Sequence, residues 1–326
     1  MDVIINEITV MLILALLGYL AGRTGYLPEN SGLYVSKLVI KITAPALIIA
    51  TMSAYDFTDK TLRDGLTISL YTLCFIGLAF AIGFVASRLL KLEGAKANVF
   101  WTHIMFGNVG YLGLPLFKSI FGEKGLVYAV FFIIMHDVLN WTLGVYLLNR
   151  HGGKSWKETL KQFLNANTLS YTLVLIFAFT NIQHFIKASP VAGVVYNIVY
   201  NTLNPLGNAT LYLVMIFIGL TLAESRIGRF RELFTKKVTL FLAFIKLLLI
   251  PVAAYVILSL LGGFVDPFVR KVLVLELAMP CAAITSAMAL QYGSDYRLAT
   301  ENIIYTTFFA MITLPLFLFL LNIAGG

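Results

Sequence analysis

Long apolar runs separated by short polar stretches make up most of this chain of 326 residues. A run of about 20 apolar residues is long enough to cross the hydrocarbon core of a membrane as an α-helix. Windows of that length predict ten membrane spans, with boundaries soft by several residues: 4–22, 33–53, 66–89, 97–121, 125–149, 167–187, 191–223, 238–262, 269–292 and 300–323. The fold class that follows is an all-α polytopic membrane protein.

The first and seventh windows carry local signals of their own. Small residues in the first window predict close helix packing there, namely Ala15, Gly18, Ala21 and Gly22. Asp2 and Glu7 flank this window where a cleavable signal peptide would carry basic residues, so we expect the segment to be retained. The seventh window is too long for one straight span, and residues 205–208 (Pro-Leu-Gly-Asn) divide it. We therefore interpret 191–203 as a half-helix or interfacial segment leading into the membrane.

Two predicted spans contain residues that interrupt a helix. In the fourth span such residues fall within nine positions: Gly107, Asn108, Gly110, Gly113 and Pro115. Glycine costs a helix interior about 1 kcal/mol and proline about 3 kcal/mol. The ninth span has a similar break around Pro280. Backbone groups released by such breaks are tolerated at membrane depth only inside protein or beside a wet cavity, and broken spans of this kind form binding sites in secondary transporters.

A polar stretch near residue 150 splits the chain into two halves with five predicted spans each. Because five is odd, the second half is expected to enter the membrane upside down relative to the first. Pro45 and Pro115 are 70 residues apart, and Pro205 and Pro280 are 75 apart, which supports an internal repeat over chance spacing of kink prolines. The predicted units are a first five-span repeat, a linker and a second, inverted repeat: 1–149, 150–166 and 167–326.

Charge predicts the orientation in the membrane. Only 12% of the residues are charged, about half the share of a soluble domain, and the net charge is +8. With the N-terminus outside, 14 of the 24 Lys and Arg residues fall in inside loops and seven in outside loops. The positive-inside rule then places both termini outside the cell membrane and the basic central linker in the cytoplasm. Basic residues dispersed over short loops do not suggest nucleic acid as a partner; membrane lipid is the expected surrounding.

Enzyme signatures are missing from the sequence. Cys74 and Cys281 both fall inside predicted spans, so neither a disulfide framework nor a metal site is expected. The sequence contains no HExxH motif, P-loop or dinucleotide fingerprint. Asp137 and Glu276 are the only carboxylates deep within spans, and neither has the setting of an intramembrane protease. We therefore do not expect an enzyme.

Ionisable residues inside spans are candidate ion-coupling groups, because each is costly to place in lipid. Asp137 could act as an ion ligand, a proton carrier or the partner of a lysine. His136 beside it could share a proton or be a satisfied interior histidine. Glu276 precedes the second break by one helical turn, where it could bind Na⁺ beside free carbonyls or pair with a lysine. Lys246, in the eighth span, is an equally open case.

Two further lysines lie in the second span, near its predicted cytoplasmic side. Lys37 and Lys41 are four residues apart, on one helix face. Their long side chains could extend to the interface, so a functional role and a simple interfacial position both remain open.

The breaks themselves predict the substrate. A half-helix that ends in mid-membrane offers free carbonyls, and one that begins there offers free N–H groups. The N–H ends suit a carboxylate and the carbonyl ends suit a cation. Asn108 can donate and accept hydrogen bonds, and Gly110 permits close approach of a ligand to the backbone. Pro115 and Pro280 keep the breaks open. A small organic anion is the expected substrate; the alternative is two merely kinked helices.

Several segments together resemble the auxin efflux carrier family, whose members include bacterial malate and malonate permeases and plant PIN carriers. They are FGNVGYLGLPLF and FGEKGLVYA in the fourth and fifth spans, LNANTLS before the sixth, IKLLLIP in the eighth, LELAMPCAAITSAMALQYG in the ninth and YTTFFAMITLPL in the tenth. The similarity runs over essentially the whole chain with its motifs in order.

The resemblance implies two inverted five-helix repeats that cross at the broken spans 4 and 9. It also implies a scaffold domain of spans 1, 2, 6 and 7, a transport domain of spans 3–5 and 8–10, elevator-type alternating access and a homodimer. By position, the family's substrate site maps to six residues: Asn108, Gly110, Pro115, Pro280, Cys281 and Ala282. The acidic residue that plant carriers use in the third span is absent here, so their proton route is not expected to transfer.

The sequence thus predicts a secondary transporter of a small organic anion such as malate, malonate or an auxin-like acid. Na⁺ or H⁺ is the candidate coupling ion, and no other cofactor is expected. The alternatives on a related fold are a bile-acid-type sodium symporter and a sodium/proton antiporter. A channel, a membrane receptor and an intramembrane enzyme are alternatives from other classes.

Overall fold

The computed structural model describes residues 2–150, 166–224 and 236–323, so nearly all of the predicted linker 150–166 lies outside the described residues. Its elements are helices, apart from a single-residue bridge considered below. In chain order they are α1 (Asp2–Arg23), α2 (Ser31–Ala54), α3 (Asp59–Leu89), α4 (Gly94–Met105), α5 (Val109–Asn149), α6 (Ala166–Thr180), α7 (Ile182–Ala188), α8 (Pro190–Asn208), α9 (Thr210–Glu224), α10 (Lys237–Leu260), α11 (Pro267–Leu277), α12 (Ile284–Gln291) and α13 (Tyr296–Ile323).

Many of these helices are long and apolar enough to cross a membrane. Within the described residues six pass on length and hydropathy, counting α8 and α9 as one run over Pro190–Ala223. The bent pair α6–α7 makes a seventh, and α1 contributes a shorter apolar helix. The class of polytopic helical membrane protein is therefore confirmed, while the count of ten spans and the inverted repeat stay predictions.

The structure adds a detail to each of two predicted spans. The expected single span over 167–187 bends by 83° between α6 and α7. Asn181 lies at the bend with a φ of 50°, a left-handed conformation that asparagine tolerates better than most residues. The expected division at 205–208 falls at the end of that segment: α8 continues through Pro205 to Asn208, and α9 begins at Thr210.

The backbone explains why α8 continues past the proline. Proline removes only its own N–H, and the Pro205 carbonyl still accepts a hydrogen bond from the Ala209 N–H at 3.2 Å. Gly207 serves packing there, since an added Cβ would lie 2.5 Å from the Leu47 Cα of α2. A glycine that permits close helix contact thus resembles, in sequence, a glycine that ends a helix.

Helix α3 begins at Asp59, seven residues before the apolar window that predicted it. The Thr58 side chain caps it by accepting a hydrogen bond from the Thr61 N–H at 3.2 Å. The charged first turns of α3 therefore extend the helix beyond its apolar part. Lys60 in this extension lies 2.7 Å from the carboxylate of Asp266, just before α11.

Small residues bring α1 against α9. An added Cβ on Gly18 would lie 2.3 Å from the Ile216 carbonyl oxygen, and one on Gly22 would lie 2.8 Å from the Ala223 Cβ. On the opposite helix, Gly219 leaves room for the Ala15 carbonyl. The close packing predicted from the glycines of the first window is confirmed, with α9 as the partner.

Helix α5 has a kink at Gly122, which has φ 65° and ψ −152°. Glycine adopts this conformation readily, whereas other residues would be strained. The kink falls between the windows predicted as the fourth and fifth spans, which end at 121 and begin at 125. The first part of α5 therefore follows the break after α4, and the second part carries His136 and Asp137.

Candidate functional site

The two predicted breaks are present and lie against each other. Helix α4 ends at Met105 and α5 begins at Val109, while α11 ends at Leu277 and α12 begins at Ile284. The backbones of the two breaks pair through hydrogen bonds. The Asn108 N–H donates to the Pro280 carbonyl at 2.7 Å, and the Ala282 N–H donates to the Phe106 carbonyl at 3.2 Å. An isolated antiparallel bridge joins Gly107 to Cys281 between these two bonds.

Local sequence accounts for this pairing. Pro280 has no N–H and so cannot continue a helix. Its carbonyl is left outside α11 and accepts the hydrogen bond from the Asn108 N–H of the other break. Gly107 lets the two broken backbone segments approach each other, since an added Cβ would lie 3.2 Å from the Met279 Cβ. Pro115 lies where the π-helical first part of α5, Val109–Gly113, passes into α-helix, so the irregular turn falls at the residue that has no N–H to donate.

A cavity of about 240 Å³ lies beside the paired breaks. The residues that begin both following helices line it: Gly110 and Tyr111 in α5, and Ala283 and Ile284 before and at the start of α12. The first N–H groups of a helix have no partner within it and carry partial positive charge. The polar side chains that line the cavity include Ser36, Asn108, His136, Asp137, Asn140 and Tyr171. Among the described residues no lysine or arginine lines the cavity, so Asp137 supplies the formal charge of its described lining.

His136 connects Asp137 to the first break. Its Nε2 accepts a hydrogen bond from the Gly107 N–H at 3.2 Å, and its Nδ1 lies 3.0 Å from the Asp137 Oδ1. Since Nε2 is the acceptor, the proton of a neutral ring is on Nδ1 and is donated to the carboxylate. The rings of Phe106 and Phe132 pack on the imidazole. His136 is buried, whereas the Asp137 side chain remains 27% exposed.

The six residues predicted for the substrate site divide into two groups. Asn108, Gly110 and Ala282 line the cavity. Three others, Pro115, Pro280 and Cys281, are buried beside the breaks and do not line it.

Cys281 in particular is held away from the cavity. It is fully buried, its N–H donates to the Thr306 Oγ1 at 3.1 Å, and its Sγ lies 3.7 Å from the His103 carbonyl oxygen. Through these contacts Cys281 joins the second break to α13 and α4.

Glu276 and Lys246 form a second, buried group that does not line the cavity. Lys246 is 1% exposed, and its Nζ donates to the Ile104 carbonyl at 3.3 Å, in the last turn of α4. The Lys246 ammonium thus lies at the carbonyl end of α4, and the carbonyl end of a helix is expected to attract a cation. Glu276 is fully buried, and neither carboxylate oxygen has a hydrogen-bond partner among the described residues. The two side chains interact electrostatically, but no ion pair within 4.0 Å joins them in the described part of the chain.

The remaining candidates, Lys37 and Lys41, are exposed on α2. Lys37 Nζ lies 5.8 Å from the centroid of the Tyr34 ring. Neither lysine lines the cavity at the breaks.

Comparison with known proteins shows the family of the chain. A family model described as membrane transport protein matches residues 3–318. The chain belongs to the auxin efflux carrier family. An uncharacterized transporter from Methanocaldococcus jannaschii is 28% identical over 97% of both chains. A Rhizobium meliloti protein provisionally named a malonate transporter is 25% identical over 95% of this chain and 93% of its own length. An uncharacterized Escherichia coli transporter is 22% identical over 97% of this chain and 96% of its own length.

In this member of the auxin efflux carrier family, sequence reasoning missed several polar residues near the breaks. Tyr171 and Asn140 line the cavity, and their side chains come from helices whose register the sequence does not give. His103 is fully buried in α4, with Nδ1 3.2 Å from the Asn302 Nδ2. A usable signal existed for His103, since it is an ionisable residue inside a predicted span.

Proposed function

We propose that this protein is a secondary active transporter of a small organic anion. The substrate class is a mono- or dicarboxylate, malonate-like, malate-like or auxin-like. The observation that carries the proposal is the cavity at the paired breaks, where two helix starts and several neutral hydrogen-bond donors meet. Its volume of about 240 Å³ is suited to a small metabolite.

Neutral groups would recognise the carboxylate. The side-chain amides of Asn108 and Asn140 and the hydroxyl of Tyr171 can each donate a hydrogen bond to it. The helix starts at Gly110 and Ala283 add partial positive charge. Hydrogen bonds to a charged group contribute about 1.5–3 kcal/mol each, so a few suffice without an arginine.

The charge of Asp137 argues for a coupled cation. An anionic substrate that enters the cavity meets a carboxylate already there, and like charges in one site disfavour each other. A bound Na⁺ or a proton on the carboxylate relieves that repulsion. Glu276, buried with two unpartnered oxygens among the described residues, is the second group that we propose to take up a cation or proton.

The proposal extends to the architecture and the mechanism. The paired breaks would be the crossing point of two broken spans in an inverted repeat of five spans each, with the termini outside and the central linker in the cytoplasm. Movement of a transport domain against a scaffold domain would expose the cavity alternately on the two sides, as in an elevator. Assembly as a homodimer through the scaffold is part of the same proposal. The provisional name of the Rhizobium meliloti relative supports the carboxylate class.

A sodium-driven symporter of the bile-acid type, or a sodium/proton antiporter, is the second candidate. Asp137 and Glu276, one at the cavity and one behind it, favour it because an antiporter requires carboxylates that exchange cations. Sodium flux without any carboxylate would select the antiporter, and sodium-dependent uptake of a bile acid in place of malonate or malate would select the symporter.

Uptake by reconstituted protein tests the proposal. Proteoliposomes loaded with unlabelled malonate or malate should accumulate the labelled compound by counterflow, which a receptor or an intramembrane enzyme does not do. A thermal-shift screen of carboxylates in detergent narrows the substrate, because a bound ligand raises stability by mass action.

Asn108→Ala should reduce counterflow by a factor of roughly ten to a hundred, the equivalent of one lost hydrogen bond to a charged group. Asn208→Ala, at an exposed asparagine at the end of α8, is the matched control and should transport normally. Normal uptake by Asn108→Ala with an unchanged melting temperature would remove Asn108 from the site.

A further inference from the structure

A second cavity, of about 320 Å³, lies where α3 ends, α4 begins and α5 ends. It shares no lining residue with the cavity at the breaks. The residues that matter here are Arg88 at the end of α3, Glu93 and Gly94 at the start of α4, Asn98 and Trp101 within α4, and Arg150 just after α5. Arg88 and Arg150, 62 positions apart, therefore face one space on the side that we propose to be cytoplasmic.

Most polar groups of this cavity are hydrogen-bond donors that have no acceptor among the described residues. Neither Arg88 nor Arg150 forms an ion pair with any residue that the structure describes, although Glu93 lines the same cavity. Asn98 is 2% exposed, and its side-chain nitrogen has no hydrogen-bond partner among the described residues. A buried donor left in this way is costly, and a bound acceptor would recover that cost.

The start of α4 adds backbone donors to the same space. Helix α4 is 12 residues long and begins at Gly94, and the Glu93 side chain makes no capping hydrogen bond to it. The N–H groups of the first turn are therefore open to a ligand. Together these donors form a site for an anion: the two guanidinium groups, the unpaired side-chain amide of Asn98 and the uncapped start of α4.

Phosphate is the anion that fits this set of donors. Its several oxygens accept from many directions, and arginine binds phosphate through two parallel hydrogen bonds. The wall beside the donors is apolar and fixed: Leu92 and Trp101 line it, and the Trp101 Nε1 donates to the Ser87 Oγ at 2.8 Å. We propose that this cavity binds the phosphate group of an anionic ligand, supplied by a phospholipid headgroup or by a free phosphate.

Binding measurements on the purified full-length chain in detergent test this site without any transport assay. The probes are phosphatidylglycerol, diacylglycerol as a lipid without phosphate, and inorganic phosphate, each followed by thermal shift and native mass spectrometry. Binding of phosphatidylglycerol alone identifies a lipid headgroup site, and binding of inorganic phosphate as well identifies a general phosphate site. Equal binding of diacylglycerol and phosphatidylglycerol overturns the proposal.

Substitutions make the test specific to the cavity. Arg88→Gln with Arg150→Gln should weaken phosphatidylglycerol binding at least tenfold, whereas Arg297→Gln, at an exposed arginine outside the cavity, should leave it unchanged. Glu93→Gln removes the one carboxylate among the described lining residues and should tighten binding, a result that a misfolded variant cannot produce. Wild-type affinity in the double variant, or no gain in Glu93→Gln, contradicts the assignment.

Discussion

Gly113 shows how tightly single residues fit around the buried carboxylate behind the breaks. An added Cβ at this position would lie 2.9 Å from the Glu276 Oε2, closer than a carbon and an oxygen can approach. Glu276 is fully buried, so its carboxylate has no open space into which to move. The glycine in the fourth span, which the sequence marks only as a helix breaker, is thus also the wall of a buried ionisable site.

Gly113→Ala should therefore destabilise the protein by about 1–3 kcal/mol, the usual cost of overpacking a filled interior. The measurement is the melting temperature in detergent. Gly77→Ala is the matched control, because an added Cβ there meets nothing within 4 Å on the exposed face of α3. That change should raise stability by about 0.5–1 kcal/mol, as in any helix interior. Equal melting temperatures for the two variants would show that Glu276 is not confined by Gly113.

The residues of the candidate site could be predicted where the sequence contains residues that interrupt a helix. Glycines, proline and asparagine in a row located the first break, and Pro280 located the second, because these residues have few places in a buried helix. The role of His136 was not predictable. Its partner, the Gly107 N–H, lies 29 positions earlier, and the two meet only because of the tertiary fold. Cys281 lies at the paired breaks but does not line the cavity, because a local pattern does not contain the direction of a side chain.

At the scale of helices, the contact between α1 and α9 depends on glycine. An added Cβ at Gly219 would overlap the backbone around Ala15 and Tyr19 of α1, which are rigid helical atoms. Association of membrane helices rests on such close packing, since lipid provides no hydrophobic drive between them. We expect Gly219→Ala to separate the helices and to lower stability by about 1–3 kcal/mol.

Thermal unfolding of Gly219→Ala beside Gly263→Ala checks this expectation. An added Cβ at Gly263 would meet nothing within 4 Å, so its substitution should leave the melting temperature near that of the wild type. An unchanged melting temperature in Gly219→Ala would mean that α1 and α9 do not pack as closely as described.

A charged cluster joins α3 to the start of α11. Lys60 Nζ lies 2.6 Å from the Asp64 Oδ2 and 2.7 Å from the Asp266 Oδ2. Burial alone would raise the pKa of the Asp266 carboxyl, but hydrogen bonds from Lys60 and the Phe268 N–H outweigh it and lower that pKa. A carboxyl with a lowered pKa contributes stability above its unfolded pKa of about 3.9, and that stability is lost as the pH falls through the folded value.

Asp266→Asn should consequently lower stability at neutral pH by no more than about 1 kcal/mol, the usual limit for a pair near the surface. Asparagine can still cap α11, so the ion pair is the main loss. Melting curves between pH 7 and pH 3 should show wild type and variant converging as the wild-type carboxyl takes up its proton. Parallel curves over this range would show that Asp266 does not contribute through its charge.

The apolar runs in the sequence predicted which helices form. They did not always predict where a helix bends or ends. The run over 167–187 looks uniform in hydropathy, yet it turns at Asn181 because one residue adopts a left-handed conformation. Pro205 carries a strong helix-breaking signal, yet α8 passes through it. Gly207, two residues after Pro205, contacts α2 closely, and such packing is not encoded in a local window.

At the scale of the whole molecule, the proposed anionic substrate would share its cavity with the Asp137 carboxylate. The two candidate coupling groups occupy different positions: Asp137 lines the cavity, and Glu276 is enclosed behind the breaks. A charge at the cavity acts on the substrate directly, whereas a charge behind the breaks acts on the paired backbone that forms the cavity. The two positions therefore predict different defects.

Asp137→Asn should abolish the dependence of malonate uptake on a Na⁺ or proton gradient while counterflow continues, because the neutral amide no longer repels the substrate. Glu276→Gln keeps the size of the side chain and removes its charge, so it should weaken gradient-driven uptake and also change the melting temperature, since it alters a fully buried group. Proteoliposomes with imposed Na⁺ or pH gradients, compared with gradient-free counterflow, separate the two effects. If Asp137→Asn keeps the ion dependence of the wild type, Asp137 orients His136 and the paired breaks, and coupling belongs to another group.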